Sequence, residues 1–414
     1  MGAFAGFEPV DERVRARPAQ ALDRWLLSLL HKSLGDAPVR LRLWDGTEHV
    51  PRGRPLASLL VRDRKTLIGM LLDPDLNVGE AYASGRLEVE GDLVAVNEAV
   101  FRALSHGGGY AMLPWWRFSG AGRHGLRASR DNIHHHYDIG NDFYRLWLDR
   151  QLVYTCAYFP TPTATLEEAQ EAKMEYVCRK LDLRAGEKVV EAGCGWGSLA
   201  LHMARRYGVT VRAFNISREQ VRWARRRAEA EGLADLVEFV EDDYRNIHER
   251  CDAFVSVGML EHVGLRNYRT LGAVIDRCLA PSGRGLLHFI GRNRLQPLNA
   301  WIRKRIFPGA YPPTLRQVME EILEPWSFSV LDVENLRLHY ARTLHHWLHR
   351  FEGAAEEVAR MFDEPFVRAW RLYLAGSEAA FATGWMQLFQ VTFARPDKDD
   401  VPWTRAHLYR STGR

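Results

Sequence analysis

No apolar run in the 414-residue chain approaches the roughly 20 residues that a bilayer-spanning helix needs, so no transmembrane segment is read. Met1 to Pro18 lacks the charged, then apolar, then small-residue order of a secretory leader, and a cytosolic protein is expected. Cysteine is scarce. The five residues Cys156, Cys178, Cys194, Cys251 and Cys278 are odd in number, widely spaced and without a C-x-x-C pair, which argues against a disulfide framework or a zinc knuckle and for reduced thiols. Charge of one sign is also lacking. A formal net charge of +4 is too small to indicate a nucleic-acid partner, though it suits an anionic surface such as phospholipid. What remains is a chain with 46% hydrophobic and 26% charged residues, enough to bury a large core, and long enough for two domains or one with large insertions.

The stretch from Lys188 to Met203 organises the rest. An apolar run ends in Glu191, then Gly193, Gly195 and Gly197 follow at every second position, and helical spacing begins at Leu199. This predicts a buried parallel strand, a tight turn and a helix. Glycines permit both the turn and a close approach of backbone to ligand. A pyrophosphate turn, G-x-G-x-x-G, would place its third glycine one position later. Taken alone, the stretch fits either a nucleotide-like ligand or a structural turn.

Upstream, Ala21 to Lys32 reads as an amphipathic helix with Leu22, Trp25, Leu26, Leu29 and Leu30 on its packed face. Val39 to Leu43 alternates and runs into the turn Trp44-Asp-Gly46, a strand and hairpin signal. Leu87 to Asp92 and a helix from Leu93 to Leu104 complete a small α+β domain over residues 1–110, in which no catalytic cluster is visible. Residues 111–130 form a linker whose Trp115-Trp-Arg-Phe118 suits a bilayer interface or an inter-domain tether. His134-His-His136 cannot converge on one ion from a regular element, and His345 and His349, though at i and i+4, have no further ligand in view; no metal is predicted.

Beyond the glycine turn, strands and helices alternate: strands Val209 to Phe214, Val237 to Val240, Ala253 to Val257 and Gly285 to Ile290, with helices Glu219 to Glu231 and Arg266 to Leu279. That order predicts a mostly parallel sheet covered on both faces, its ligand at the carboxyl ends where Glu191, Asn215, Asp243 and Glu261 fall. No acid follows Phe214 to take a ribose, which counts against a nicotinamide enzyme. Two long insertions, 291–327 and 334–387, precede and follow a strand at Phe328 to Val333 and are read as substrate coverings within a domain spanning 131–414; a last strand is read at Leu388 to Ala394.

Several motifs together resemble the cyclopropane-fatty-acyl-phospholipid synthase family from about Gly79 onward. They are His135-His-Tyr-Asp-Ile-Gly-Asn-Asp-Phe-Tyr144, Tyr154-Thr-Cys-Ala-Tyr158, Gln170-Glu-Ala-Lys173, Glu191-Ala-Gly-Cys-Gly-Trp-Gly197, Ser256-Val-Gly-Met-Leu-Glu-His262, Leu287-His-Phe-Ile-Gly291, Phe307-Pro-Gly309 and His339-Tyr-Ala-Arg-Thr-Leu-His-His-Trp347. The resemblance implies a Rossmann-like class I methyltransferase domain with a mostly parallel seven-stranded sheet, and a smaller N-terminal α+β domain that binds lipid. It implies S-adenosylmethionine at Tyr137, Tyr154, Thr155, Glu191, Gly193, Gly195, Gly197, Asn215, Gln220, Asp243 and Tyr244, although Asn215 departs from the threonine usual at that position. It also implies a bicarbonate site at Cys156, Glu261, His288, Ile290 and Tyr340.

The expected reaction adds a methylene to the cis double bond of a phospholipid acyl chain. The alkene attacks the sulfonium methyl, and bicarbonate takes a proton from the resulting cation. The expected partner is unsaturated phospholipid at the inner face of the cell membrane, not nucleic acid, with a homodimer left open. Rival readings are a fatty-acyl methyltransferase making a methyl or methylene branch, a small-molecule N- or C-methyltransferase, and a silent lipid-binding protein.

Overall fold

The computed structural model describes residues 18–51, 53–105 and 139–409. Tyr137, the histidines 134–136 and the Trp115-Trp-Arg-Phe118 segment lie outside the described residues. Two compact units share the chain. The first comprises Met1–Ala121, Pro297–Pro308 and Leu344–Trp385, and the second Gly122–Gln296, Gly309–Thr343 and Met386–Arg414. Parts of both long insertions thus group with the N-terminal residues, which differs from the simple division near residue 130.

In the first unit, β1 (Val39–Leu43), β2 (Glu48–His49), β3 (Ala57–Val61) and β4 (Leu87–Gly91) form a sheet in the order β2-β1-β3-β4. β1 and β3 run parallel and the other pairs antiparallel. Alternation along β1 and β3 turns Val39, Leu41, Leu43, Ala57, Leu59 and Val61 into one core. The helix Ala21–Ser33 covers it, but with a different face from the one expected. Asp23, Leu27 and Leu30, at i, i+4 and i+7, are buried, while Leu22 and Trp25 are 50% and 56% exposed. The cause is Asp23, whose carboxylate receives the backbone N–H of Gln20 at 2.7 Å and the Arg64 guanidinium at 2.6 and 2.7 Å. Turning Leu22 inward would pull that enclosed carboxylate away from its donors, and a buried charge without partners costs more than two exposed apolar side chains.

The helix Ala300–Arg305 belongs to this unit because Trp301 lies on Gly79, where a Cβ would come within 2.3 Å of its ring, and Arg305 holds Glu80 at 2.7 and 2.8 Å. The helix Glu364–Ala382 is tied in by Arg368, which donates to the carbonyls of Tyr82 and Leu87.

The second unit contains β5 (Lys188–Ala192), β6 (Thr210–Asn215), β7 (Val237–Glu241), β8 (Cys251–Val257), β9 (Leu279–Gly291), β10 (Ser329–Asn335) and β11 (Gln387–Ala394). Their order is β10-β11-β9-β8-β5-β6-β7. β5 to β9 pair parallel, and β11 enters antiparallel between β9 and β10. The helices Leu166–Lys180, Ser198–Tyr207 and Arg218–Ala230 bury Met174, Val177, Leu201, Met203, Val221 and Ala224 on one core cluster. Tyr268–Cys278 and the turn Met319–Leu323 contribute Leu271, Ile275, Ile322 and Leu323 to another. Burial on both faces explains why β5, β8 and β11 read as nearly unbroken apolar runs. From β5 the chain steps to β6 and β7 on one side and returns to β8 and β9 on the other. The carboxyl ends of β5 and β8 therefore flank a topological switch point.

Candidate functional site

At that switch point the glycine turn leaves β5. Gly193 and Gly197 both have φ +83, and a Cβ on them would sit 2.8 Å from Met259 Cβ and 2.5 Å from Phe239 Cζ, so their absence of side chain is required by the protein's own packing. Gly195, with φ +53, is different: a Cβ there would meet nothing within 4 Å. Open space beside a left-handed turn leaves room for a ligand to reach the backbone.

Around the turn, Glu191 is buried at 2% exposure, its Oε2 has no partner among the described residues, and burial lifts its pKa to about 7 against the opposing charge of Lys173. Asn215 braces the loop. Its Nδ2 donates to Gly195 O at 3.2 Å and to Gln220 Oε1 at 2.8 Å, while its Oδ1 accepts from Ser217 N. Asp243 holds Arg245 through two bonds of 2.7 Å. The buried hydroxyl of Tyr244 has no partner among the described residues, and desolvation pushes its pKa up. Tyr154 joins an aromatic group with Tyr144 and Trp147, and Trp196, from the glycine turn, packs edge-on to Tyr144 at 5.1 Å and donates to Asn141 Oδ1. Thr155 Oγ1 accepts from Lys173 Nζ.

The second constellation lies at the ends of β8 and β9. Glu261 follows β8 on the short helix Leu260–Val263, and its Oε1 accepts the backbone N–H of Ile290. Its Oε2 is buried without a partner among the described residues, and desolvation raises its pKa to about 7. His288 stands two residues before Ile290 on the same face of β9, in register with Val257 and Gln390. Gln390 Nε2 lies 2.9 Å from His288 Nδ1; with that amide donating, His288 Nε2 carries the proton, buried and without a partner among the described residues. Burial, and then the charges of Lys173 and Lys180, push the histidine well below its usual range, so the ring stays neutral. The constellation thus offers a carboxylate acceptor and an imidazole N–H donor.

Cys156 and Tyr340 form a third group. The Cys156 thiol is buried next to Leu336, and burial raises its pKa, so it remains a thiol. Tyr340, buried in the first turn of the helix Arg337–Gly353, shares a face with Thr343, whose Oγ1 accepts from Ala157 N at 3.0 Å. Glu261 is thus joined to Ile290 by a hydrogen bond and His288 to Ile290 by the strand, whereas the segments bearing Cys156 and Tyr340 are tied through Leu336, Ala157 and Thr343. His345 is exposed and pairs with Glu378, and among the described residues no group of three or more metal-binding side chains occurs. None of the described helices is long and apolar enough to cross a membrane.

Sequence reading gave no role to Gln390, Gln170 or Lys173. Gln390 could have been noticed as a polar residue in the apolar run Leu388 to Ala394. Gln170 and Lys173 sat inside a quoted motif, yet a polar pair on a helix gives no sign from spacing alone that it faces inward.

A seven-stranded, mostly parallel sheet with an acid and a glycine turn at its switch point defines a class I S-adenosylmethionine-dependent methyltransferase. A family model described as Mycolic acid cyclopropane synthetase matches residues 124–391, and one for a domain of unknown function matches residues 26–106. A probable fatty acid methyltransferase of Pseudomonas putida is 39% identical over 90% of this chain and 96% of its own length. The cyclopropane-fatty-acyl-phospholipid synthase of Escherichia coli K12 is 35% identical over 83% of this chain and 89% of its own. Among solved structures, the cyclopropane synthase MmaA2 from Mycobacterium tuberculosis superimposes with a TM-score of 0.62 at 30% identity, covering 64% of this chain and 98% of that one. The mycolic acid cyclopropane synthase CmaA1, complexed with SAH and CTAB, gives 0.61 at 29% identity over 64% and 98% of the two chains. The chain belongs to the mycolic acid cyclopropane synthetase family of S-adenosylmethionine-dependent methyltransferases.

Proposed function

We propose that the protein transfers a methylene group from S-adenosylmethionine to the cis double bond of an unsaturated phospholipid acyl chain, closing a cyclopropane ring. The observation that carries this reading is the pair of buried, unpartnered atoms Glu261 Oε2 and His288 Nε2 beside the donor's switch point. An isolated alkene is a weak nucleophile, so the chain's task is to align it with the sulfonium methyl and exclude water. Glu261 and His288 provide an acceptor and a donor that together fit hydrogencarbonate. Glu261 Oε2 would accept its hydroxyl, and the His288 N–H and Tyr340 hydroxyl would hold its charged oxygens. Bound there, hydrogencarbonate would take up the proton released at ring closure.

Gly195 and Glu191 are assigned to the donor, the first as the open edge of the turn and the second as an acceptor for its amino-acid part. Asn215 and Gln220 serve chiefly by fixing that turn. Leu22 and Trp25, half exposed on the N-terminal unit, suit the headgroup region of a bilayer, and this unit is assigned to peripheral binding at the membrane's inner face. The relative from Pseudomonas putida supports a second outcome on the same site, a methyl or methylene branch. Incubation with vesicles of cis-unsaturated phospholipid and donor, followed by mass spectrometry before and after mild diimide reduction of C=C bonds, separates the two. Both add one CH₂, but the ring takes up no hydrogen on reduction whereas the methylene branch gains two further mass units. No mass gain on any acyl chain would overturn the assignment to lipid.

A further inference from the structure

Lys173 is a cation enclosed in the second unit at 2% exposure, and nothing above gives it a task. Its Nζ donates to Thr155 Oγ1 at 3.0 Å, and among the described residues no carboxylate stands within ion-pair reach of it. One turn earlier on the same helix, Gln170 Nε2 donates to the carbonyls of Val153 and Thr155 at 3.2 and 2.9 Å. The two side chains therefore grip the segment that leads directly into Cys156. The Thr155 methyl in turn lies against Gly258, where a Cβ would come within 2.7 Å of it, and Gly258 N donates to His288 O at 2.8 Å. Lys173 thus stands behind the strip of chain that joins the donor's edge to the acceptor pocket. The groups that feel its charge are Asp149 and Cys156 from that strip, Glu191 from β5, Cys178 from its own helix and His288 from β9.

The acceptor pocket needs such a charge. Glu261 is largely ionised above neutral pH, His288 is neutral, and Cys156 is a thiol, so the pocket by itself repels an anion. Lys180, the other cation felt at His288, is already paired with Glu334 at 2.6 Å. In a site of low polarizability an ammonium without a direct ion pair acts over several ångströms. We propose that Lys173 is the positioning cation of the acceptor pocket: through Thr155 it fixes the segment bearing Cys156, and its charge, in direct ion pair with no described carboxylate and opposed only at longer range by Asp149 and Glu191, allows a small anion to settle beside Glu261. This rests on the hydrogencarbonate reading above.

The test compares the unmutated protein with Lys173→Met, nearly isosteric and uncharged. Hydrogencarbonate is the probe, and initial rate and the thermal midpoint of the S-adenosylhomocysteine complex are the readouts. The variant should need at least about tenfold more hydrogencarbonate for half-maximal rate, and hydrogencarbonate should no longer raise its midpoint. A folded variant with the same half-saturating concentration, or one that loses rate without changing it, overturns the proposal. A flat hydrogencarbonate profile in the unmutated protein overturns the underlying reading instead. Should Lys173→Met not fold, a second variant decides. Lys173→Gln, which can still donate to Thr155 but carries no charge, then takes its place with the same expected and overturning outcomes.

Discussion

Gln390 on β11 faces His288 on β9 across one rung of the sheet, with its amide nitrogen 2.9 Å from the imidazole Nδ1. This bond selects the tautomer. With Nδ1 accepting, Nε2 keeps its hydrogen as a buried donor without a partner among the described residues.

Replacing Gln390 by Glu reverses that choice, because a carboxylate must accept from Nδ1–H and so strips the proton from Nε2. The expected result is a loss of roughly 10- to 100-fold in turnover, with S-adenosylhomocysteine affinity retained in calorimetry. Gln390→Leu, which frees the ring, should lose less. Equal activity of Gln390→Glu and the unmutated protein would show that the imidazole does not donate.

The glycine turn separates packing from binding. Gly197→Ala drives a methyl into Phe239 and Ala224 at a positive φ, and should lower stability by roughly 2 to 4 kcal/mol in denaturant titration. Gly195→Ala meets no atom, so it should cost only about 1 to 2 kcal/mol for the left-handed backbone while weakening the donor's binding by at least about tenfold. The larger Gly195→Val should abolish binding. Normal donor affinity in folded Gly195→Ala would remove the turn from the site.

Much of this arrangement was legible in the chain. Strands β5, β6 and β8 read correctly because burial on both faces leaves an apolar run that helices cannot imitate at that length, and Glu191 and Glu261 stood out as acids ending such runs. β3 was missed, since Ala57 to Val61 holds one β-branched residue, Val61, and its Leu59-Leu60 breaks the strict alternation of apolar and polar residues that marks a half-buried strand. The face of the first helix was misread because hydrophobic spacing gives no weight to an aspartate. Only the position of Arg64 in space makes burying Asp23 favourable. Gln390 and Lys173 escaped for the same reason: their roles depend on partners more than a hundred residues away in one case and on a loop crossing in the other.

Stability should carry the mark of the two buried acids. Glu191 and Glu261 have folded pKa values raised to about 7 from 4.5, so the folded state holds more protons between those values. Their stabilising contribution is therefore complete below about pH 4.5 and is lost as pH rises through 7. At pH 8 Glu261→Gln should stabilise the ligand-free protein by roughly 1 to 3 kcal/mol, since the amide still accepts from Ile290 N. At pH 5 the gain should be small. Glu191→Gln should gain less, because the charge of Lys173 already offsets part of the cost. Thermal midpoints of the three proteins at the two pH values check this, and a destabilised Glu261→Gln at pH 8 would contradict it.

The central claim is that Glu261 holds the proton acceptor instead of being one. The direct measurement is the initial rate of alkene consumption against hydrogencarbonate concentration for the unmutated protein and Glu261→Gln. The unmutated rate should rise with hydrogencarbonate and saturate. The variant should bind donor normally, lose roughly 2 to 4 kcal/mol of barrier lowering at low hydrogencarbonate by analogy with a lost oxyanion donor, and recover part of it as the concentration rises. A flat profile for the unmutated protein together with full activity of Glu261→Gln would contradict the account.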